Sequence, residues 1–430
     1  MRIVFWITSG YCLCLFGAGA LLMGQPAALT LEQAKQLALK NHPRIQSAGL
    51  SSEAANKVVT QARSPLYPVV AGNATGAIAQ HGTTLSAGAL PTSSLYSRAA
   101  AGFGVTQLVT DFGRTASLTA AAKLKAAAQG RNVDNTRAQV LVEVADSYYQ
   151  ALGADAVLKA AQAAVDNRSV TLRQVRALAQ SSLKSTVDVS FAEVALSQAQ
   201  LDLYRAENNV QAQRTRLAAS LGMEANAAFT LADEALPPAL PASPDDLIAQ
   251  ALKDRPDLAA LGLSRDAALR FADAEKRLRD PTVSLLGIAG VLPDHDEKLK
   301  GTYSSVGVNL NIPIFNGGLF TARREEAELR ARAATDDVKD LTILIERDVR
   351  VAWLEANTAF RRLDVTARLM AEADQALRLA QLRYDNSLGS IVELNQAQFA
   401  QTSAQIEAAS AKYEYLSRRA ALDYAMGRLP

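Results

Sequence analysis

Few residues in this chain have the types and spacing that chemistry requires. Asp294-His295-Asp296-Glu297 could ligate a metal ion, but it lies between two stretches of strand character and reads as a solvated loop. Asn316-Gly317-Gly318 could suggest a phosphate cradle, yet no Lys-Ser or Lys-Thr pair follows it. Gly317 and Gly318, with Gly113 in the equivalent Asp111-Phe112-Gly113, read instead as sharp bends from strand into helix. His42, His81 and His295 are too far apart for a histidine zinc site. The two cysteines, Cys12 and Cys14, sit in an apolar leader and offer no disulfide framework to the rest of the chain. No Ser/His/Asp grouping and no catalytic carboxylate pair is visible. The expectation is therefore no enzyme, no metal and no cofactor. Two carboxylates remain of interest, Asp188 and Glu393, each just past a chain reversal.

The elements that must position them are long helices. In 430 residues, no Pro occurs between Pro91 and Pro237 or between Pro313 and Pro430. Neither Gly nor Pro interrupts Leu319 to Leu388, or Ser390 to Met426. Apolar residues recur at three and four, as in Leu141, Val144, Tyr148 and Leu152, the stripe of a packed amphipathic helix. A helix of roughly 65 to 70 residues is on the order of 100 Å long. Aromatic residues are only 6% and Ala is abundant, which suits close helix–helix packing. With 45 Lys and Arg against 43 Asp and Glu, the formal charge is +2, which excludes a polycation built for nucleic acid.

Four stretches have strand character: 66–80, 96–110, 282–292 and 302–315. In the last, Val306, Val308, Leu310, Ile312 and Ile314 alternate with small or polar residues. In the second, Ala99, Ala101, Phe103, Val105 and Val109 face away from Arg98, Gly102, Gly104 and Thr106. Each stretch is long enough to cross a bilayer as a tilted strand, and one apolar face suits lipid outside a wet lumen. Residues 81–95 read as a loop.

The N-terminus, Arg2 followed by the apolar run 3–23, reads as a signal peptide over 1–28, with cleavage between about 20 and 28. A run of that length could also be a retained anchor. No later apolar run is long enough for a transmembrane helix, so membrane residence would require a barrel.

The chain also repeats itself. LRQVRALAQSSLKSTVDVS from Leu172 answers LRLAQLRYDNSLGSIVELN from Leu377 at an offset of 205 without a gap. TLEQAKQLALKNHPRI from Thr30 answers SPDDLIAQALKDRPDL from Ser243. The reading is a first repeat over 29–221 (long helices 112–221), a Pro-rich linker 222–244, and a second repeat over 245–430 (long helices 317–427).

Helix, hairpin and long helix pair, twice over, behind a signal peptide, resembles the TolC-type outer-membrane efflux and secretion channels. Leu310-x-Ile-Pro313-x-Phe315-Asn316-Gly-Gly318 carries the resemblance, with Tyr384-x-x-x-Leu388-Gly-Ser-Ile-Val-Glu393 and the opening LTLEQAKQLALKNHP. The resemblance implies a homotrimer of mainly α protomers. Each would give four strands to a twelve-stranded barrel in outer-membrane lipid and its helices to a periplasmic α-helical barrel. It implies docking onto a periplasmic adaptor, joined to an inner-membrane pump, at helix tips around Ser181-Ser182-Leu183 and Ser387-Leu388-Gly389. It places a periplasmic gate at Tyr384 and Glu393, with Asp188 as partner carboxylate. Tyr384 is then expected to hold the gate through its hydroxyl. Two positions depart from the family pattern: Gly389 stands where a basic lock can be, and Gln396 where a second pore carboxylate can be. The loop 294–297 becomes extracellular on this reading.

Closure supports the trimer separately: four strands cannot enclose a wet lumen, and open edges in lipid leave backbone groups unpaired. The alternative is a periplasmic coiled-coil adaptor or scaffold with soluble hairpins. A secreted hydrolase lacks any nucleophile–base signature. The transported substrate is not legible.

Overall fold

The computed structural model describes residues 28–78, 84–87, 90–94, 97–224, 229–295 and 300–428. The leader with Cys12, Cys14 and the cleavage region up to 27 lies outside the described residues, as do His81, Asp296 and Glu297.

Two short helices open the chain, α1 (Leu31–Asn41) and α2 (Pro43–Arg63). A capping box starts the first: the Thr30 side chain accepts from Gln33 N–H and Gln33 reaches back to Thr30 N–H. Strand β1 (Val69–Ala77) follows, then β2 (Thr84–Ala87), β3 (Leu90–Ser94) and β4 (Arg98–Thr110). Helix α3 (Arg114–Gln180) runs 67 residues and reverses into α4 (Thr186–Ser220). The second half opens with α5 (Asp245–Asp254) and α6 (Pro256–Lys276). It continues with β5 (Thr282–His295) and β6 (Thr302–Asn311), then α7 (Leu319–Asp385), again 67 residues, and α8 (Ile391–Ala425).

The main sheet is antiparallel with order β1-β4-β5-β6, so the two hairpins meet through β4 and β5. Its register puts Val70, Val105, Gly287 and Val306 in one row. Phe103 pairs with Ala289, and Leu285 with Val308, on the same side. The apolar alternations of β4 and β6 therefore share one face. The other face carries Gly102, Gly290 and Tyr303, and the Tyr303 phenol lies so close over both glycines that neither position has room for a Cβ. Among the described residues, β1 and β6 are the free edges of this sheet in the protomer.

Several strand limits differ from the sequence reading. β1 starts at Val69 rather than 66, because Ser64–Leu66 closes a 3-10 turn. β6 stops at Asn311 rather than 315, because Pro313 has no N–H to continue a ladder. β5 runs on to His295, so Asp294 and His295 extend the sheet, where they pair with Ala99 and Arg98. Within 81–95, β2 and β3 form a small hairpin of their own rather than a plain loop.

The strand-to-helix bends are built on positive φ: Gly113 at 93°, Gly317 at 62° and Gly318 at 87°. Asp111 fastens the first by accepting from the N–H groups of Gly113 and Thr115 at 3.1 and 2.6 Å. Burial alone would raise its pKa, but the Thr115 and Gly113 bonds outweigh it and hold the carboxyl below the ordinary value. Buried Glu275 at the end of α6 pairs with Arg323 at 2.8 Å and Arg114 at 3.6 Å, tying the starts of both long helices together.

The buried apolar side chains are mostly alanines, which let the helix axes approach closely. Larger residues cluster where α1 meets α3 and α4, around Tyr148, Leu217 and Leu221. Others cluster where α5 meets α7 and α8, around Ile345 and Leu422. Residues 229–241 form a strap across these helices rather than a loose tether. Leu29 and Leu231 form a parallel bridge, and Tyr148 Oη donates to the carbonyls of Leu29 and Ala232 at 2.8 and 2.6 Å. Lys412 pairs with Asp233 at 2.7 Å, and Trp353 Nε1 donates to the Pro241 carbonyl at 3.1 Å. Among the described residues, no helix is long and apolar enough to cross a membrane.

Candidate functional site

The two chain reversals sit at the same end of the helices and are built alike. After α3, Ser182 takes a left-handed φ of 59°, and Leu183 N–H reaches back to the Leu178 carbonyl at 2.9 Å. After α7, Ser387 takes a φ of 58°, and Leu388 N–H reaches the Arg383 carbonyl at 2.7 Å. This is the closing pattern that usually takes Gly, here with Ser at the left-handed position. It leaves Leu183 and Leu388 standing into solvent at 68% and 72% exposure, although both are large and apolar. The next helices start on Ser185 and Ser390, whose hydroxyls accept from backbone N–H groups.

Beneath the turns all four long helices pack together. Leu172 and Val175 of α3, Ala192 of α4, Ala380 and Tyr384 of α7, and Ile391 and Leu394 of α8 form one cluster. Tyr384 is buried there, but its hydroxyl makes no hydrogen bond. Burial first, then the negative charges of Asp188 and Asp385, push its pKa up. The expected bridging role of the hydroxyl thus has no partner in this arrangement. What holds the ring is Lys184, whose ammonium sits 4.1 Å from the ring centroid and 3.4 Å from the Tyr384 carbonyl oxygen.

Asp188 completes the capping box of α4, accepting from Ser185 N–H at 3.2 Å. Its equivalent, Glu393, does something different: it pairs with Arg383 Nε at 3.0 Å. Arg383 also donates to the Leu388 carbonyl at 3.1 Å, so one guanidinium ties the end of α7, the turn and the start of α8. Gly389 makes room for this pair, because a Cβ there would lie 3.1 Å from both Arg383 Cβ and a Glu393 carboxylate oxygen. Gln396 is exposed, one turn further along α8. The structure thus groups Lys184, Asp188 and Tyr384 on one side and Arg383, Gly389 and Glu393 on the other, with Gln396 apart.

The two cations of the site are therefore Lys184 and Arg383, neither of them among the gate positions that the resemblance implies. The 205-residue offset marks Lys184 as the counterpart of Gly389, the position of the basic lock. Arg383 carries no such signal, because its counterpart is Leu178. Chemically the site can pack, pair charges and separate. Among the described residues no group of three metal-ligating side chains occurs.

An antiparallel four-stranded sheet with free edges, mounted on paired helices of this length, defines a protomer of an outer-membrane channel. The chain belongs to the outer membrane efflux protein family, whose model matches residues 34–223 and 247–428. It is similar to the outer membrane efflux protein BepC of Brucella suis, 26% identical over 96% of this chain and 88% of that protein. It is likewise similar to the outer membrane protein TolC of Vibrio cholerae, 25% identical over 91% of this chain and 89% of the relative. In fold it resembles the solved structure of CusC, with a TM-score of 0.82 at 18% identity over 94% of this chain and 93% of the other. The outer-membrane channel OprN is also similar, with a TM-score of 0.80 at 20% identity over 92% and 89%.

Proposed function

We propose that this protein is the outer-membrane exit duct of a tripartite efflux system, passing substrates from the periplasmic side to the exterior. The family match supports this reading, and so does a relative named for solvent efflux in Pseudomonas putida, 23% identical over 91% of this chain. The observation that carries the mechanism is the open sheet. Its β1 and β6 edges leave backbone groups unpaired, and in lipid each such group costs several kcal/mol. Three copies joined edge to edge, β6 to the next β1, close one barrel without edges. The row of Val70, Phe103, Val105, Leu285, Val306 and Val308 then faces lipid. The helices, on the order of 100 Å long, continue the duct into the periplasm.

The tips form the closed end. Arg383–Glu393 and Lys184 on Tyr384 hold each protomer's four helices together there. Leu183 and Leu388 are the surfaces offered to an adaptor protein, which links the duct to an inner-membrane pump. Opening is the separation of α7–α8 from α3–α4 at this end. Purified protein in planar bilayers is expected to give discrete trimeric channels, and the outer-membrane fraction a heat-modifiable trimer. A water-soluble monomer of equal helicity would overturn the channel and leave a periplasmic scaffold.

A further inference from the structure

Arg168 on α3 is a buried cation that, among the described residues, no carboxylate meets within ion-pair distance. Only 7% of it is exposed, and its Nε has no hydrogen-bond partner. The carboxylate that acts on it from α4, Asp202, is engaged by Gln198 and Arg205 at 3.3 Å each. Burial pulls the Arg168 pKa down and Asp202 only partly opposes it. A guanidinium so placed is costly unless an anion meets it.

Arg168 opens on a cleft of about 640 Å³ between α3, α7 and α8. Gln398 of α8, also only 7% exposed, opens on the same cleft. Its amide nitrogen donates to Thr171 Oγ1 at 3.0 Å, and its amide oxygen has no partner. The remaining charges on the lining are Arg378 and Asp385 of α7, and Asp385 already accepts from Gln381 at 3.0 Å. Two cations thus face one engaged carboxylate. Val170, Leu377 and Leu382 supply apolar wall.

We propose that this cleft binds a small amphiphilic carboxylate, its acid seated on the Arg168 guanidinium and its apolar body along Val170, Leu377 and Leu382. The planar fork of Arg matches a carboxylate, and the volume lies within the roughly 300–1,000 Å³ of small-molecule sites. The site lies within one protomer's helices and does not depend on what the duct carries.

The test uses the full chain in lipid nanodiscs, with decanoate and decanol as probes and empty discs subtracted. Decanoate is expected to bind saturably, once per protomer, with decanol showing no saturable uptake. Arg168→Gln should weaken decanoate by about tenfold or more. Gln174→Glu is the second variant. Residue 174 is exposed on the lining of the same cleft, so a carboxylate there repels the ligand's acid and should weaken binding without removing the cation. Undiminished binding by either variant would overturn the proposal. So would absence of uptake by the unaltered protein. If that absence came with a lowered trimer melting temperature in Arg168→Gln, a neighbouring protomer's carboxylate would be the occupant instead.

Discussion

At the scale of single residues, the tip is governed by local neutralisation. Glu393 carries its own counter-ion in Arg383, so at the proposed closed end three copies would make three ion pairs rather than three bare carboxylates. Removing either partner should move ion selectivity in opposite directions. Arg383→Gln exposes the carboxylates and should raise cation preference, whereas Glu393→Gln leaves the guanidiniums and should lower it, both read as reversal potentials in a salt gradient. Identical reversal potentials in all three proteins would place the constriction elsewhere. Tyr384 gives a second contrast. Its hydroxyl is buried without a partner, so Tyr384→Phe removes an unsatisfied group and should leave stability within about 1 kcal/mol of the original. Tyr384→Ala removes the ring under Lys184 from the four-helix cluster, at a cost of about 3–5 kcal/mol. Tip loosening then appears as faster protease cleavage near 181–185 and 386–390. Equal cleavage of the Phe and Ala variants would show that the hydroxyl does bridge helices.

At the scale of elements, register and strap carry the predictions. Val308 lies on the row shared with Leu285, and Asn309 on the opposite side of β6. An arginine on the lipid face near mid-membrane costs roughly 2–4 kcal/mol, so Val308→Arg should impair insertion while Asn309→Arg is tolerated. Comparable amounts of folded trimer from both would refute the facing. The strap 229–241 is pinned by phenols. Burial first, with the Glu234 charge adding, pushes Tyr148 up to about 12. Burial first and then Asp233 push Tyr413 up to about 12. The unfolded chain releases these protons near pH 10 and the folded chain only toward 12. Their contribution is therefore whole below pH 10 and is lost as pH rises from there to about 12. Thermal melting should stay flat from neutral pH up to 10 and fall beyond it, less steeply in Tyr148→Phe. That variant also strips the Leu29 and Ala232 carbonyls of a donor, costing about 1–3 kcal/mol at neutral pH. Phenols titrating near pH 10 in the folded protein would refute the coupling.

At the scale of the whole molecule, the protomer is incomplete as it stands. Val306, Val308 and Phe103 are 79%, 71% and 69% exposed, and β1 and β6 have no outer neighbours. Apolar residues also stand out from α4 and α7, Val194 and Leu201 on one and Ile343 and Val365 on the other. Lipid and neighbouring protomers are the environments that such surfaces fit. Extraction should therefore require detergent, and the extracted species should be a trimer that dissociates only on heating.

The sequence alone determined whatever follows from local rules. Missing Pro set the length of α3 and missing Gly and Pro that of α7, period-two alternation marked β4 and β6, and glycines just after the strands marked the bends. Those signals are written within a few residues of where they act. Tertiary structure decided what depends on residues far apart in the chain. The strap is one case, since nothing near 229–241 announces that Tyr148, Trp353 and Lys412 will bind it. The limits of β5 and β6 are another, being set by the partner strand and by one missing N–H. The tip is the clearest. The repeat made Asp188 and Glu393 look equivalent, yet one caps a helix and the other meets Arg383, because their neighbours across the turn differ. A carboxylate's role is fixed by the charge nearest to it in space, and sequence spacing reports that charge only when it lies on the same helix face.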